Sequence, residues 1–273
     1  MSEGCISEEA VRHDLTGGVS WITLDRPEAL NAITADQRDR LIALLRQASA
    51  DPETRVVVLT GTGRGFCTGA DLRPRPGSET TAGTTAELRP GDVARTIRDG
   101  AQALVAAVLD CEKPVIGAVN GIAAGIGAHL ALACDLVIAA ESAKFIEIFA
   151  RRGLVPDGGG AHLLTRLVGV HKAKELMFFA DDVPAAEALA MGLVNRVVPD
   201  SALEKAAREW AERLAAGPTR AFARTKELLR AGRSLGESLD AEAESIAALS
   251  SEVDAGEGID AFLEKREPRF RAR

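Results

Sequence analysis

Along the first two thirds of the chain, short apolar runs alternate with stretches in which apolar residues return at helical spacing. Val19–Leu24 (VSWITL) reads as a strand that ends at the turn-rich segment DRPEALNAIT. Thr34 and Gln37 have capping-box spacing, and Leu41, Ile42, Leu44, Leu45 and Ala48 then share one helical face. Residues 55–60 (RVVVLT) form a continuous apolar run, which predicts a strand buried on both faces. Helical periodicity resumes at Val93, Ile97, Ala101, Leu104 and Val108. Residues 114–119 repeat the buried-strand pattern, a helix is expected over 125–134, and strands over Leu136–Ala140 and 144–148. The last third is helical in pattern: Leu203–Ala215, 218–230 with Pro218 at the first helical position, Leu235–Leu249 and 259–264. This order predicts an α/β fold with a trailing helical region.

Composition narrows the classes. The 273 residues are 46% hydrophobic and 27% charged with a net charge of −7, which suits one large folded domain and argues against a nucleic-acid binder. Cys5, Cys67, Cys111 and Cys134 are scattered without a CxxC pair, and the histidines show no ligand spacing with them. A disulfide framework or metal site is not expected, and a reducing cytoplasm fits best. The polar opening MSEGCISEEAVRHD lacks a signal-peptide core, and the apolar runs are too short and interrupted to span a membrane. Pro, Gly, Thr and Glu dominate from Arg73 to Gly91, which reads as a lid rather than a linker.

Two glycine-rich segments are the places where chemistry is expected. GFCTGADL (65–72) follows a buried strand, and NGIAAGIG (120–127) leads from a strand into a helix. Glycine lets backbone N–H groups approach and face a ligand oxygen, and a helix N-terminus adds unsatisfied donors and partial positive charge. Neither segment matches a dinucleotide fingerprint or a P-loop. Taken singly, either could be a structural turn.

Five segments in order, LDRPEALNAI, GFCTGADL, KPVIGAVNGIAAGIGAHLALACDLVIAAESAKF, GLVPDGGGAHLLTRLVG and MGLVNRVVP, resemble the crotonase (enoyl-CoA hydratase/isomerase) family. The resemblance extends from about Val19 to the terminal FLEKREPRF. It implies the crotonase (ClpP-like) α/β fold, with a repeated ββα core over 1–198 that carries the acyl-CoA site and a helical trimerisation region over 199–273. It also implies a trimer or hexamer, a coenzyme A thioester substrate, and no redox or metal cofactor. Carried over by position, the backbone N–H groups of Ala70 and Ile126 form an oxyanion hole for a thioester enolate. The family often has Gly where Ile126 stands. The same resemblance assigns contacts with coenzyme A to Ala29, Asp71 and Leu72, and to Lys265 across a subunit boundary.

The acid–base residues depart from the hydratase pattern. The two glutamates of that pattern fall on His129 and Phe149, so a paired-carboxylate hydration is not expected. Asp157 falls where relatives that move a double bond or open an epoxide carry Asp. Dehalogenases share that Asp, but their His and Trp fall here on Gln102 and Phe149. A 1,3-proton shift with Asp157 as acid/base is the leading reading, and Phe149 and Leu154 are expected to raise its pKa by excluding water. Asp157 could instead only shape the Asp-Gly turn. His129 is open between a core or orienting histidine and a second acid–base group, and Glu147 reads as a solvated or pairing residue. The alternatives are a hydratase using His129 and Asp157, and a non-catalytic acyl-CoA-binding homologue. A serine peptidase is disfavoured because residues 121–127 contain no Ser.

Overall fold

The computed structural model describes residues 10–73, 89–230 and 232–271. Most of the expected lid, residues 74–88, lies outside them. A six-stranded sheet runs in the order β1 (Val11–Thr16), β2 (Val19–Leu24), β3 (Val56–Gly61), β5 (Val115–Val119), β7 (Leu136–Ala140) and β10 (Arg196–Val198). All neighbours are parallel except β1 and β2. A second, four-stranded sheet has the order β4 (Gly65–Cys67), β6 (Ile122–Ala124), β8 (Lys144–Ile146) and β9 (Val183–Pro184).

Each ββα unit divides its two strands between the sheets. The helices of the core are α1 (Ala35–Ala50), α2 (Pro90–Ile97), α3 (Ala103–Asp110), α4 (Ile126–Leu132), α5 (Gly160–Phe179) and α6 (Ala185–Ala190). Thus β3–β4–α2/α3, β5–β6–α4 and β7–β8–α5 are three successive copies of one plan.

The continuous apolar strand β3 explains how the large sheet is covered. Val57 and Leu59 face a core shared with Leu41, Leu45, Leu104 and Leu130, while Val56 and Val58 face Ile116, Ile138, Leu203 and Ala207. The second group brings α7 (Leu203–Ala215) onto the opposite face, so period-two alternation buries both sides. Helix α1 starts with the expected capping box, in which Thr34 accepts from the Gln37 N–H and Gln37 Oε1 accepts from the Thr34 N–H at 3.1 Å.

Three local outcomes differ from the sequence pattern. The helix expected through Val108 opens into a wider π-type turn at Arg98–Gln102, between α2 and α3. The glycine-rich segments each contain a three-residue strand, β4 and β6, that their composition conceals. The last helix, α10 (Val253–Glu264), starts at Val253 rather than Ile259. With α8 (Thr219–Arg230) and α9 (Leu235–Leu249), it exposes Leu229, Leu235, Ile246, Ile259, Phe262 and Leu263. Among the described residues, no helix is long and apolar enough to cross a membrane.

Candidate active site

The second sheet gathers the chemistry. Strands β4, β6 and β8 are parallel neighbours, so the turns that leave their C-terminal ends emerge side by side. Those turns carry Gly69–Asp71, Gly125–Ile126 and the segment from Glu147 to Asp157. Two asparagines fix the loop that enters β4, at residues 61–65. Asn31 donates from Nδ2 to the Thr62 and Gly65 carbonyls, at 2.9 and 2.7 Å, and accepts from the Arg26 N–H at 2.7 Å. Asn120 accepts from the Gly61 N–H and donates to the Gly63 carbonyl, at 3.1 and 2.9 Å. Close approach also excludes side chains, since a Cβ at Gly127 would overlap the Cys67 carbonyl. Burial pushes the Cys67 thiol up to about 12, so it remains protonated packing material.

Both expected donor groups sit at exposed or unpaired backbone. In the parallel bridge between Ile33 and Ala70, the Ile33 N–H bonds the Gly69 carbonyl (2.8 Å) and the Asp71 N–H bonds the Ile33 carbonyl (2.9 Å). The Ala70 N–H therefore faces away from Ile33. Gly69 makes this turn with φ 105°, and Gly125 makes the next with φ 55°. Ile126 is the first residue of α4, where an N–H lies outside the intrahelical ladder and at the positive end of the helix dipole. The Ile126 side chain is buried, and its Cδ1 lies where a Cβ on Gly158 would stand.

The third turn supplies titratable groups. Asp157 is partly buried, and its Oδ1 is buried without a hydrogen-bond partner. Burial raises its pKa above the usual carboxylate value, the nearby His129 works against that rise, and the Glu147 carboxylate adds to it. Leu154 does not help to enclose it, contrary to expectation: that side chain is 60% exposed. Instead, Ile126 and Val105 pack on the adjoining Gly158. His129 is fully buried on α4, and its Nε2 lies 3.1 Å from both carboxylate oxygens of Glu147. Phe149 stacks on its ring with centroids 5.3 Å apart and planes inclined by 12°. The His129 Nδ1 is also buried and unpartnered. Glu147 is thus a pairing residue that is buried rather than solvated. Its sequence position gave little sign of this, because its partner is 18 residues away and reached only through the β6–β8 pairing.

The positions assigned to coenzyme A divide into two groups. Ala29 ends a single 3-10 turn (Pro27–Ala29), and the next residue, Leu30, accepts from the Thr68 N–H at 3.2 Å. Asp71 is held by Arg26 Nη2 at 3.0 Å and by Arg73 Nη2 at 2.6 Å, and Arg73 above all keeps its carboxyl well below the usual range. Ala29 and Asp71 are therefore joined in one surface, next to the exposed Leu72. Lys265 stands at the exposed end of α10, where its N–H bonds the Phe262 carbonyl at 3.3 Å. No bond of Lys265 among the described residues ties it to that surface. Among the described residues, no group of three or more His, Cys, Asp or Glu is arranged to hold a metal ion.

Comparison with known proteins identifies the family. Residues 14–273 match the family model described as enoyl-CoA hydratase/isomerase. A Rhodobacter capsulatus protein named probable enoyl-CoA hydratase is 43% identical over 98% of this chain and 100% of its own. The 1,2-epoxyphenylacetyl-CoA isomerase of Escherichia coli K12 is 38% identical over 93% of this chain and 95% of its own. The crystal structure of an enoyl-CoA hydratase from Bacillus anthracis superposes with a TM-score of 0.87 at 35% identity, covering 97% of this chain and 100% of that one. With its ββα core, its paired glycine turns and a family match over nearly its whole length, the chain is an enzyme of the enoyl-CoA hydratase/isomerase (crotonase) family.

Proposed function

We propose that the enzyme moves a double bond, or performs a related isomerisation, on an acyl-CoA, with Asp157 as the acid/base. The observation that carries this reading is a single carboxylate of raised pKa, with a bare buried Oδ1, beside the two glycine turns. His129 and Phe149 stand where a hydratase-type glutamate pair is expected from the family resemblance.

The chemistry follows from the placement. The Ala70 and Ile126 N–H groups hold the thioester oxygen. Asp157 takes a proton from C2 of a 3-enoyl thioester, and the electron pair delocalises onto that oxygen as a dienolate. Asp157 then returns the proton to C4, the double bond moves to C2–C3, and the carboxylate is restored. Fixed donors at the developing oxyanion are worth about 3 kcal/mol each by comparison with measured deletions. Coenzyme A lies along the Ala29–Asp71–Leu72 surface. Lys265 reaches the 3′-phosphate or diphosphate of a neighbouring subunit's ligand, which suits an amine at an exposed helix end.

We further read residues 1–198 as the catalytic core and 199–273 as the region of self-association into a trimer or hexamer. The apolar side chains exposed on α8, α9 and α10 support that reading. The free, buried Cys67, Cys111 and Cys134 suit a reducing cytoplasm.

The second reading, hydration through His129 and Asp157, draws support from the buried His129–Glu147 pair. One acyl-CoA panel separates the two. We expect conversion of 3-enoyl-CoA to its 2-enoyl isomer to exceed hydration of crotonyl-CoA. Dominant hydration that is lost in His129→Gln would reverse the assignment. Binding with neither reaction would identify a non-catalytic homologue.

A further inference from the structure

Two glycines at the site make room for one side chain. Gly69 precedes Ala70 and Gly158 follows Asp157, so the first donor and the proposed base each have a neighbour without a Cβ. The side chain that enters this space is Ile126. Its Cγ2 lies 4.0 Å from the position that a Cβ on Gly69 would take, and its Cδ1 lies where a Cβ on Gly158 would stand. One side chain therefore reaches from the turn that carries the Ala70 N–H to the turn that carries Asp157.

Packing holds Ile126 in that place. The residue is buried, and Val105 Cγ2 and the Ala101 carbonyl crowd the same side of Gly158, at 3.4 and 3.5 Å from its Cβ position. Branching at Cβ restricts rotation about χ1, so the side chain is a stiff wall rather than a movable one. In surroundings this close, a single added methyl group is felt.

The substrate has to cover the same span. Its thioester oxygen is bound at the Ala70 and Ile126 N–H groups, and the carbons that exchange a proton with Asp157 are C2 and C4. The acyl chain thus starts at the backbone of Ile126 and passes the turn of Asp157 and Gly158. Those are the two ends of the Ile126 side chain, which accordingly runs beside the reacting carbons. A methyl on C2 that points toward it would meet carbon atoms that cannot yield.

We infer that the Ile126 side chain, as distinct from its N–H, is a specificity-determining wall: it admits acyl-CoA chains unbranched at C2 and rejects a C2 methyl that points toward it. This rests on the Ala70–Ile126 donor pair and on Asp157 as the base. Because the wall stands on one side of the chain, it discriminates between the two enantiomers of a 2-methyl acyl-CoA.

The test is calorimetric binding of butanoyl-CoA and of each enantiomer of 2-methylbutanoyl-CoA, saturated ligands that need no turnover. One methyl group in an apolar pocket is worth about 10- to 200-fold, so at least one enantiomer should bind the wild type about tenfold or more weakly than butanoyl-CoA. Ile126→Ala should bring that enantiomer level with butanoyl-CoA, and Ile126→Val, which lacks only Cδ1, should fall between. Any shift of the Ile126 N–H in these variants acts on all three ligands, so the ratio of affinities reports the side chain alone. A wild type that binds both enantiomers as tightly as butanoyl-CoA overturns the proposal, even if no variant folds. So does a folded Ile126→Ala enzyme that keeps the full preference. Undiminished 3-enoyl-CoA isomerisation by Asp157→Asn would instead remove the base assignment, and the affinity ratio would still report on Ile126 separately.

Discussion

Replacing Ile126 with proline removes one proposed oxyanion donor with little cost to the resting fold. Ile126 is the first residue of α4, so its N–H has no intrahelical acceptor to lose. Proline is well suited to that position, and the preceding Gly125, at φ 55°, carries no Cβ to clash with the ring. The lost donor should appear almost wholly in the transition state, as a fall in kcat of about 10²- to 10³-fold, equivalent to roughly 2.7–4 kcal/mol. The side chain needs its own control, because Ile126 is buried against Gly158. Ile126→Val keeps the N–H and removes the Cδ1 methyl, at a stability cost of about 0.5–1.5 kcal/mol. Steady-state isomerisation of a 3-enoyl-CoA, with circular dichroism to confirm folding, compares the two. The valine enzyme should keep kcat within a few fold. A folded proline enzyme that retains more than about a tenth of wild-type kcat would refute the role given to this N–H, and so would a valine enzyme equally impaired.

Other consequences can be tested together. Gly127→Ala places a methyl into the Cys67 carbonyl, which cannot swing aside as a side chain could, so we expect a loss of about 1–3 kcal/mol in urea denaturation and a fall in kcat. Because burial raises the Asp157 pKa in the fold, the folded state holds that proton to higher pH than the unfolded chain. Ionised Asp157 therefore lowers stability above its folded pKa, and this penalty fades as pH falls through that value. Asp157→Asn should accordingly raise Tm at neutral pH by calorimetry, with the advantage shrinking in acid. The acid limb of kcat/KM should lie above the ordinary aspartate value of about 3.9. Thr34→Ala should cost about 1 kcal/mol in equilibrium unfolding by removing the Thr34–Gln37 cap of α1.

What the sequence disclosed depended on how far apart the determining residues are. The capping box of α1 and the VVVL run of β3 carry their structure in adjacent residues, and both were readable. Strand β1 was not, because five of its six residues are exposed and it is recognisable only through its antiparallel pairing with β2. Strands β4 and β6 were hidden in glycine-rich sequence, since parallel neighbours rather than β propensity hold them extended. The two glycine turns and Asp157 could be singled out from local composition and family resemblance, and the parallel pairing of β4, β6 and β8 brings their segments to one end of the second sheet. The pairing of Glu147 was not legible, as its partner His129 lies 18 residues away on α4, after the neighbouring strand β6. Leu154 misled for the complementary reason: an apolar residue three positions before Asp157 in sequence is largely exposed in the fold.

In the proposed reaction, Asp157 is the group that carries the proton. The most direct measurement is kcat for conversion of a 3-enoyl-CoA to its 2-enoyl isomer in Asp157→Asn, which keeps the side-chain shape and removes the base. General acid–base groups contribute about 10²- to 10⁴-fold, so a loss of at least 100-fold is expected, with acyl-CoA binding retained by calorimetry. Turnover within about twofold of wild type would contradict the assignment.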